Sequence, residues 1–376
     1  MFLLKIKGSD IMEKRLARLT SWMKQENVSF TFITSTPNIF YLSNFYTHPH
    51  ERVAGVAVFQ DAEPFIVCPK MEMASAKNAG WVFEIVGYSD TDNPWDFIEE
   101  AIQKRNINVQ AVAIEKSHLS FERGEVLQRM YPTAAFKAAE DILNELRLIK
   151  DEKELVILRE AAKLADFGVE VGVNAIKEGV SELEIVAKIE YELKKKGVRE
   201  MSFSTMVLTG AKTAAPHGTP SLDTVQKGDL VLFDLGVVLD GYCSDITRTV
   251  AYHSINEKQK EIYETVLKAQ MAAVQESKPG IQIGRIDQIA REIITNAGYG
   301  DYFTHRIGHG LGIDVHEFPS LNATNQNPLK TGMTYTIEPG IYVPEIGGVR
   351  IEDDIYITEN GAEVLTMYPK ELQIIK

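Results

Sequence analysis

Five side chains in this sequence have the types and settings of cation ligands. Asp234 and Asp245 lie in "VLFDLGVVLDGYCSDITRTV", residues 231–250, a run otherwise apolar and β-branched. Glu338 lies in "GMTYTIEPG" and Glu352 in "VRIED". A carboxylate in an apolar strand costs free energy unless something pairs it. Four ionised carboxylates drawn together repel one another, by about 4 kcal/mol per pair at ~4 Å and an effective dielectric of ~20. Either some are protonated or metal holds them, and metal is the expectation. His309 stands between Gly308 and Gly310 in "HRIGHGLG". Glycines on both sides allow close backbone approach and bare the imidazole. Oxygen donors with one imidazole suit two hard or borderline divalent ions, Mn²⁺ first, with Co²⁺ or Zn²⁺ as alternatives. "GHGLG" is not a phosphate loop, because it lacks the Lys-Ser/Thr ending and the strand–GxGxxG–helix context.

Such a cluster needs strands that aim all four acids at one place. "GDLVLFDLG" and "GMTYTIEPG" echo each other: a Gly, an acid six residues on, a Gly two beyond, then a turn and a second acid. Spacing alone leaves duplication and coincidence open. Asp234 and Asp245 are eleven apart. With side chains alternating along a strand, an even turn such as Asp240-Gly241 puts both on one face, and an odd turn needs a bulge. Glu338 and Glu352 are fourteen apart, so there an odd loop or a bulge at Gly347-Gly348 is required.

The 376-residue chain suggests two domains. A helix from Met12 to Gln25, a strand in "VSFTFITS", a hairpin in "GVAVFQDAEPFIVC", a strand in "VQAVAIE" and a helix Phe121–Met130 predict a small α/β domain over 1–136. The first eleven residues read as an extension. A linker helix over 137–150 leads to an α+β domain over 151–376. There Asp151 with Glu154, and Ser181 with Glu184, have the spacing of capping boxes. Further helices are expected at Glu257–Glu276 and Ile286–Ala297, and strands elsewhere.

A net charge of −13 argues against nucleic acid or an anionic membrane as partner. No apolar run reaches the roughly 18 residues of a membrane span. Cys68 and Cys243, the only cysteines, build no disulfide framework, which fits a cytoplasmic protein.

Asp234 in "DLG", Asp245 in "SDITRT", His309 in "GHG", Glu338 in "IEPG" and Glu352 in "VRIED" resemble, in type and order, the ligand set of the pita-bread metallopeptidases. The first domain looks like the creatinase/prolidase N-terminal domain, which points to the prolidase and aminopeptidase P branch. The resemblance implies a pita-bread catalytic domain preceded by that smaller domain. It implies that Asp234 chelates one ion, that His309 and Glu338 bind the other, and that Asp245 and Glu352 bridge both. A water between the ions would be the nucleophile. Glu338 would shuttle the proton, and His217 and His316 would contact substrate and stabilise the oxyanion. Thr247 would support the carboxylate ligands.

The implied reaction is hydrolysis of the Xaa-Pro bond in dipeptides, by a homodimer acting on small proline-containing peptides. The alternatives are an aminopeptidase acting on longer Xaa-Pro peptides and, further off, a silent binding module. Many prolidases have arginine where this chain has Ser320. Arg306 or Arg350 is therefore expected to bind the substrate carboxylate. His48 and His50, in "SNFYTHPHERVAG", are candidates to reach a partner's site.

Overall fold

A computed structural model describes residues 8–376. The chain divides into two compact units between Arg147 and Leu148. The first is built on a six-stranded sheet in the order Glu84–Tyr88, Phe65–Pro69, Gly55–Phe59, Phe30–Ile33, Ala111–Ile114, Ala135–Ala138. Phe30, Phe32, Phe59 and Phe65 fill its core against Ile98, Ile102 and Leu127 of the flanking helices. The hairpin 55–69 forms as expected. The first helix, Gly8–Gln25, starts four residues before Met12, and residues 1–7 of the expected extension lie outside the described residues. The sheet continues to Ala138, two residues past the expected boundary, because Ala135–Ala138 pairs in parallel with Ala111–Ile114.

In the second unit, two helix pairs each cover one sheet. Glu152–Asn174 and Glu182–Lys195 pack on the sheet Ile374–Ile375, Ile246–Tyr252, Leu230–Leu235, Met206–Thr209. Both helices open with capping boxes, Asp151 with Glu154 and Ser181 with Glu184. Glu257–Glu276 and Ile283–Asn296 pack on the sheet Glu317–Leu321, Gly308–Gly310, Thr334–Ile337, Asp353–Thr358, Gly361–Val364. The last of these helices begins three residues before the expected Ile286, with Gln282 at the N-cap position. Val231, Phe233 and Leu235 point into the first helix layer, and Tyr335, Ile337 and Ile355 into the second. Both cysteines are free and buried. Among the described residues no helix is long and apolar enough to cross a membrane.

Candidate active site

The four acids sit where two long hairpins break. In the first, Leu230–Leu235 pairs with Ile246–Tyr252, with Asp234 opposite Thr247. Beyond Gly236 the same register resumes, with Val238 opposite Cys243. The tip is the two-residue Asp240-Gly241 turn, with φ of 46° and 85°, as a primed hairpin turn requires. Asp245 lies two residues from Thr247 and so shares a face with Asp234. A β-carbon on Gly236 would stand 1.8 Å from the Ser244 carbonyl oxygen, so only glycine lets the strands cross there.

In the second hairpin Ile337 is opposite Asp353, and Gly340 is opposite Arg350. The loop between Val343 and Gly347 has three residues, the odd length the spacing called for. Glu338 and Glu352 therefore face each other across the break. The two hairpins touch at these points: the Glu352 N–H donates to the Thr247 carbonyl at 3.1 Å, and Thr249 Oγ1 to the Arg350 carbonyl at 3.0 Å. The sequence echo thus has a structural counterpart.

His309 enters from the short strand Gly308–Gly310. β-Carbons on Gly308 and Gly310 would stand 1.9 Å from the Thr336 and 2.3 Å from the Phe318 carbonyl oxygens. These contacts explain both glycines. Gly308→Ala is expected to cost the fold more than about 3 kcal/mol, since only backbone can yield there; urea unfolding with a midpoint near wild type would refute this. His309 Nδ1 lies 3.2 Å from the Gly310 carbonyl. Donation there leaves Nε2 as the lone-pair nitrogen, and Nε2 faces Glu338 at 3.4 Å and Asp245 at 3.8 Å. Burial lowers the His309 pKa to about 3, so the imidazole is neutral and ready to ligate.

All five residues line one cavity of about 410 Å³. Ligand atoms of Asp245, His309 and Glu352 lie within 4.8 Å of one another. Burial, then the neighbouring carboxylates, push Asp245 and Glu338 well above the carboxylate range. Burial, then Asp234, raises Glu352 to about 8. Asp234 Oδ1 and Asp245 Oδ1 are buried and have no hydrogen-bond partner among the described residues. Buried carboxylate oxygens left without donors, beside a neutral imidazole, are a donor set suited to divalent cations.

Around this cluster the structure sorts the remaining candidates. His217 and His316 both line the cavity, and the His316 ring lies 4.0 Å from that of His309. Burial, then Arg306, lowers the His316 pKa. Thr247 is fully buried, and its hydroxyl donates to Glu352 Oε2 at 2.5 Å.

Arg350, the other arginine expected at the substrate carboxylate, also lines the cavity. Its guanidinium is buried and paired with protein: Nη2 to Asp234, Nε to Thr247 Oγ1 at 3.0 Å, Nη1 to the Tyr342 hydroxyl at 3.0 Å. Arg350 and Asp234 thus form an internal ion pair at the cavity wall. Arg306 lines the cavity and donates to the Ser320 hydroxyl at 3.1 Å, so the two residues singled out from the sequence meet.

His48 and His50 belong to the first unit and are exposed. Their loop is pinned. Thr36 Oγ1 donates to the Thr47 carbonyl at 2.8 Å, Arg52 pairs with Asp90 at 2.8 Å, and Arg123 grips the Glu51 carbonyl at 2.8 Å.

Sequence reasoning missed His305, whose ring meets the Tyr342 hydroxyl at 2.8 Å, and the apolar lining of Phe203, Met206 and Val315. His305 stands four residues before His309 in the same motif, a signal that was available. Tyr342 gave none, because its partners come together only in the fold.

A cavity lined by four acids, a neutral histidine, arginines and apolar groups has the donor set of a divalent-metal site. The comparisons agree. Residues 156–359 match metallopeptidase family M24, and residues 15–149 match the creatinase/prolidase N-terminal domain. YkvY of Bacillus subtilis strain 168 is 59% identical over 361 residues, 96% of this chain and 99% of that one. The Xaa-Pro dipeptidase of Lactobacillus delbrueckii subsp. lactis is 44% identical over 362 residues, 96% of this chain and 98% of that one. The prolidase of Pyrococcus horikoshii OT3 superposes with a TM-score of 0.89 at 37% identity, over 96% of this chain and 100% of that one. The chain belongs to metallopeptidase family M24, with the pita-bread fold and the creatinase-type N-terminal domain, and is an enzyme that depends on divalent metal ions.

Proposed function

We propose that this enzyme hydrolyses the Xaa-Pro peptide bond of dipeptides. The observation that carries the reading is the pair of unpartnered buried oxygens, Asp234 Oδ1 and Asp245 Oδ1, in one cavity with neutral His309. Asp234, Asp245, His309, Glu338 and Glu352 would hold two divalent ions, Mn²⁺ before Co²⁺ or Zn²⁺. Bound ions supply Lewis acidity and a water of low pKa at neutral pH.

This chain's residues do the rest. Arg350 fixes the Asp234 carboxylate, and Thr247 fixes that of Glu352. Glu338 takes the proton of the attacking water and returns it to the leaving prolyl nitrogen. That transfer matters because an amide nitrogen departs readily only when it is protonated as it leaves. His316 and His217 donate to the carbonyl oxygen as it gains charge. Arg306, oriented by Ser320, pairs with the dipeptide carboxylate. Phe203, Met206 and Val315 supply the apolar part of the cavity lining.

The reading is tested by dialysis against chelator, then restoration with Mn²⁺, Co²⁺ or Zn²⁺. Ala-Pro cleavage is expected to vanish and return, with a non-proline dipeptide inert throughout. Arg306→Ala separates dipeptidase from aminopeptidase. A lost charge-assisted carboxylate contact is worth ~1.5–3 kcal/mol, so KM for Ala-Pro is expected to rise about 10- to 100-fold, with little change for Ala-Pro-Ala. Equal losses on both would remove Arg306 from the carboxylate and favour the aminopeptidase reading.

The proposal extends to a cytoplasmic homodimer, with the exposed loop of His48 and His50 reaching the partner's active site to contact substrate. Light scattering on wild type tests the dimer, and an unchanged KM for Ala-Pro in His48→Ala/His50→Ala protein would remove the loop from the site.

A further inference from the structure

Arg248 is the largest fully buried side chain among the described residues, and it is not one of the residues that line the cavity. A guanidinium has five N–H donors in a rigid fork. Here each finds an acceptor. Nε donates to the Tyr368 carbonyl at 2.9 Å. Nη1 donates to the Thr247 carbonyl at 2.9 Å and the Glu352 carbonyl at 2.5 Å. Nη2 donates to Asp353 Oδ1 at 2.6 Å and again to the Tyr368 carbonyl at 2.8 Å.

Three of these acceptors belong to the two broken hairpins. Thr247 lies on the first, and Glu352, a carboxylate of the cluster, and Asp353 on the second. The fourth, Tyr368, lies on the C-terminal segment. Asp353 is itself held by Gln270 Nε2 at 2.7 Å, by Thr366 Oγ1 at 2.9 Å and by Lys370. The adjacent Asp354 accepts the Asp245 N–H at 3.0 Å. Behind the cavity there is therefore a second polar layer, and it grips the backbone of the acids rather than their side chains.

We propose that Arg248 is a positioning residue. By clamping the Thr247 and Glu352 carbonyls onto the C-terminal segment, it sets the spacing of the carboxylates on the two hairpins, and so the affinity for the ion pair they hold. This rests on the ligand reading above and adds to it a residue outside the cavity. Lysine cannot replace the fork. Its single ammonium can satisfy Asp353 but cannot also span both carbonyls. Lys370 is the internal control, since it contacts Asp353 from the surface side and leaves the two carbonyls alone.

The test is Co²⁺ titration of metal-free protein, followed by calorimetry and by the visible absorption of bound Co²⁺, on wild type, Arg248→Lys and Lys370→Met. Supporting residues behind metal ligands typically carry 10- to 100-fold in affinity. Arg248→Lys is expected to lose that factor in Co²⁺ affinity and to change the Co²⁺ spectrum, with KM for Ala-Pro within about twofold. Lys370→Met is expected to lower thermal stability and leave Co²⁺ affinity unchanged. If both variants shift affinity by the same factor, or Arg248→Lys titrates as wild type does, the positioning role is wrong. Wild type that binds no Co²⁺ would instead overturn the ligand reading.

Hydrogen exchange on wild type supplies an arm that needs no variant to fold. Co²⁺ loading is expected to slow exchange at the amides of Thr366, Met367, Tyr368 and Lys370, which lie beyond the cavity. Unchanged exchange there overturns the proposal.

Discussion

Asp245→Ala protein is expected to hydrolyse Ala-Pro at least about 10³-fold more slowly than wild type, with no recovery in excess Mn²⁺. Asp245 stands at the break of the first hairpin and faces His309 across 3.8 Å. Its Oδ1 is one of the buried oxygens without a protein donor. Removing it takes away a proposed ligand from the middle of the cluster and leaves the strands on either side intact. The loss should fall on kcat, with circular dichroism unchanged and a reduced metal stoichiometry in calorimetry. Turnover within tenfold of wild type would mean that the cluster is not the seat of the chemistry.

The second large effect is on stability. Metal-free protein is expected to lose stability as pH rises from 5 to 8.5, whereas metal-loaded protein keeps it. Asp245 and Glu338 stand well above the carboxylate range, and Glu352 is raised to about 8. In the unfolded chain these groups titrate near 4. A raised folded pKa means that the native state holds protons the unfolded state has released. Its contribution is complete below about pH 4 and is lost as pH climbs through the folded value, which for Glu352 is about 8. Cations replace those protons in the loaded enzyme. The gap between the two forms should therefore widen by several kcal/mol, about 10 °C in melting temperature for a domain of this size. Scanning calorimetry at four pH values with and without chelator measures it. Parallel curves would show that the acids are not close enough to share protons.

The period-two logic of the strands carried far. It demanded an even turn between Asp234 and Asp245 and an odd loop between Glu338 and Glu352, and the structure has both. The capping boxes at Asp151 and Ser181 were readable because they are local hydrogen-bonding patterns. What escaped has one of two causes. Some signals were local and overlooked: Ser35 caps a helix whose first turn holds Pro37, a common helix opening, and His305 shares a motif with His309. Others did not exist before folding. Asp234 and Arg350 pair across 116 residues, and the acceptors of Arg248 come from three separate stretches of chain. The strand Glu84–Tyr88 is of the same kind. Its residues alternate in no clear sense, and Gly87 packs beside the Met73 side chain only in the fold.

The unchanged register on both sides of each hairpin break has an evolutionary corollary. The Asp240-Gly241 tip and the three-residue loop after Val343 lie beyond the acids, so inserted or deleted residues there alter only surface shape. One residue gained or lost between the paired strands and an acid rotates that acid to the opposite face of its ribbon, among the helices. Natural length polymorphism in enzymes of this architecture should therefore collect at the two tips and be purged from the four short stretches that join acid to sheet.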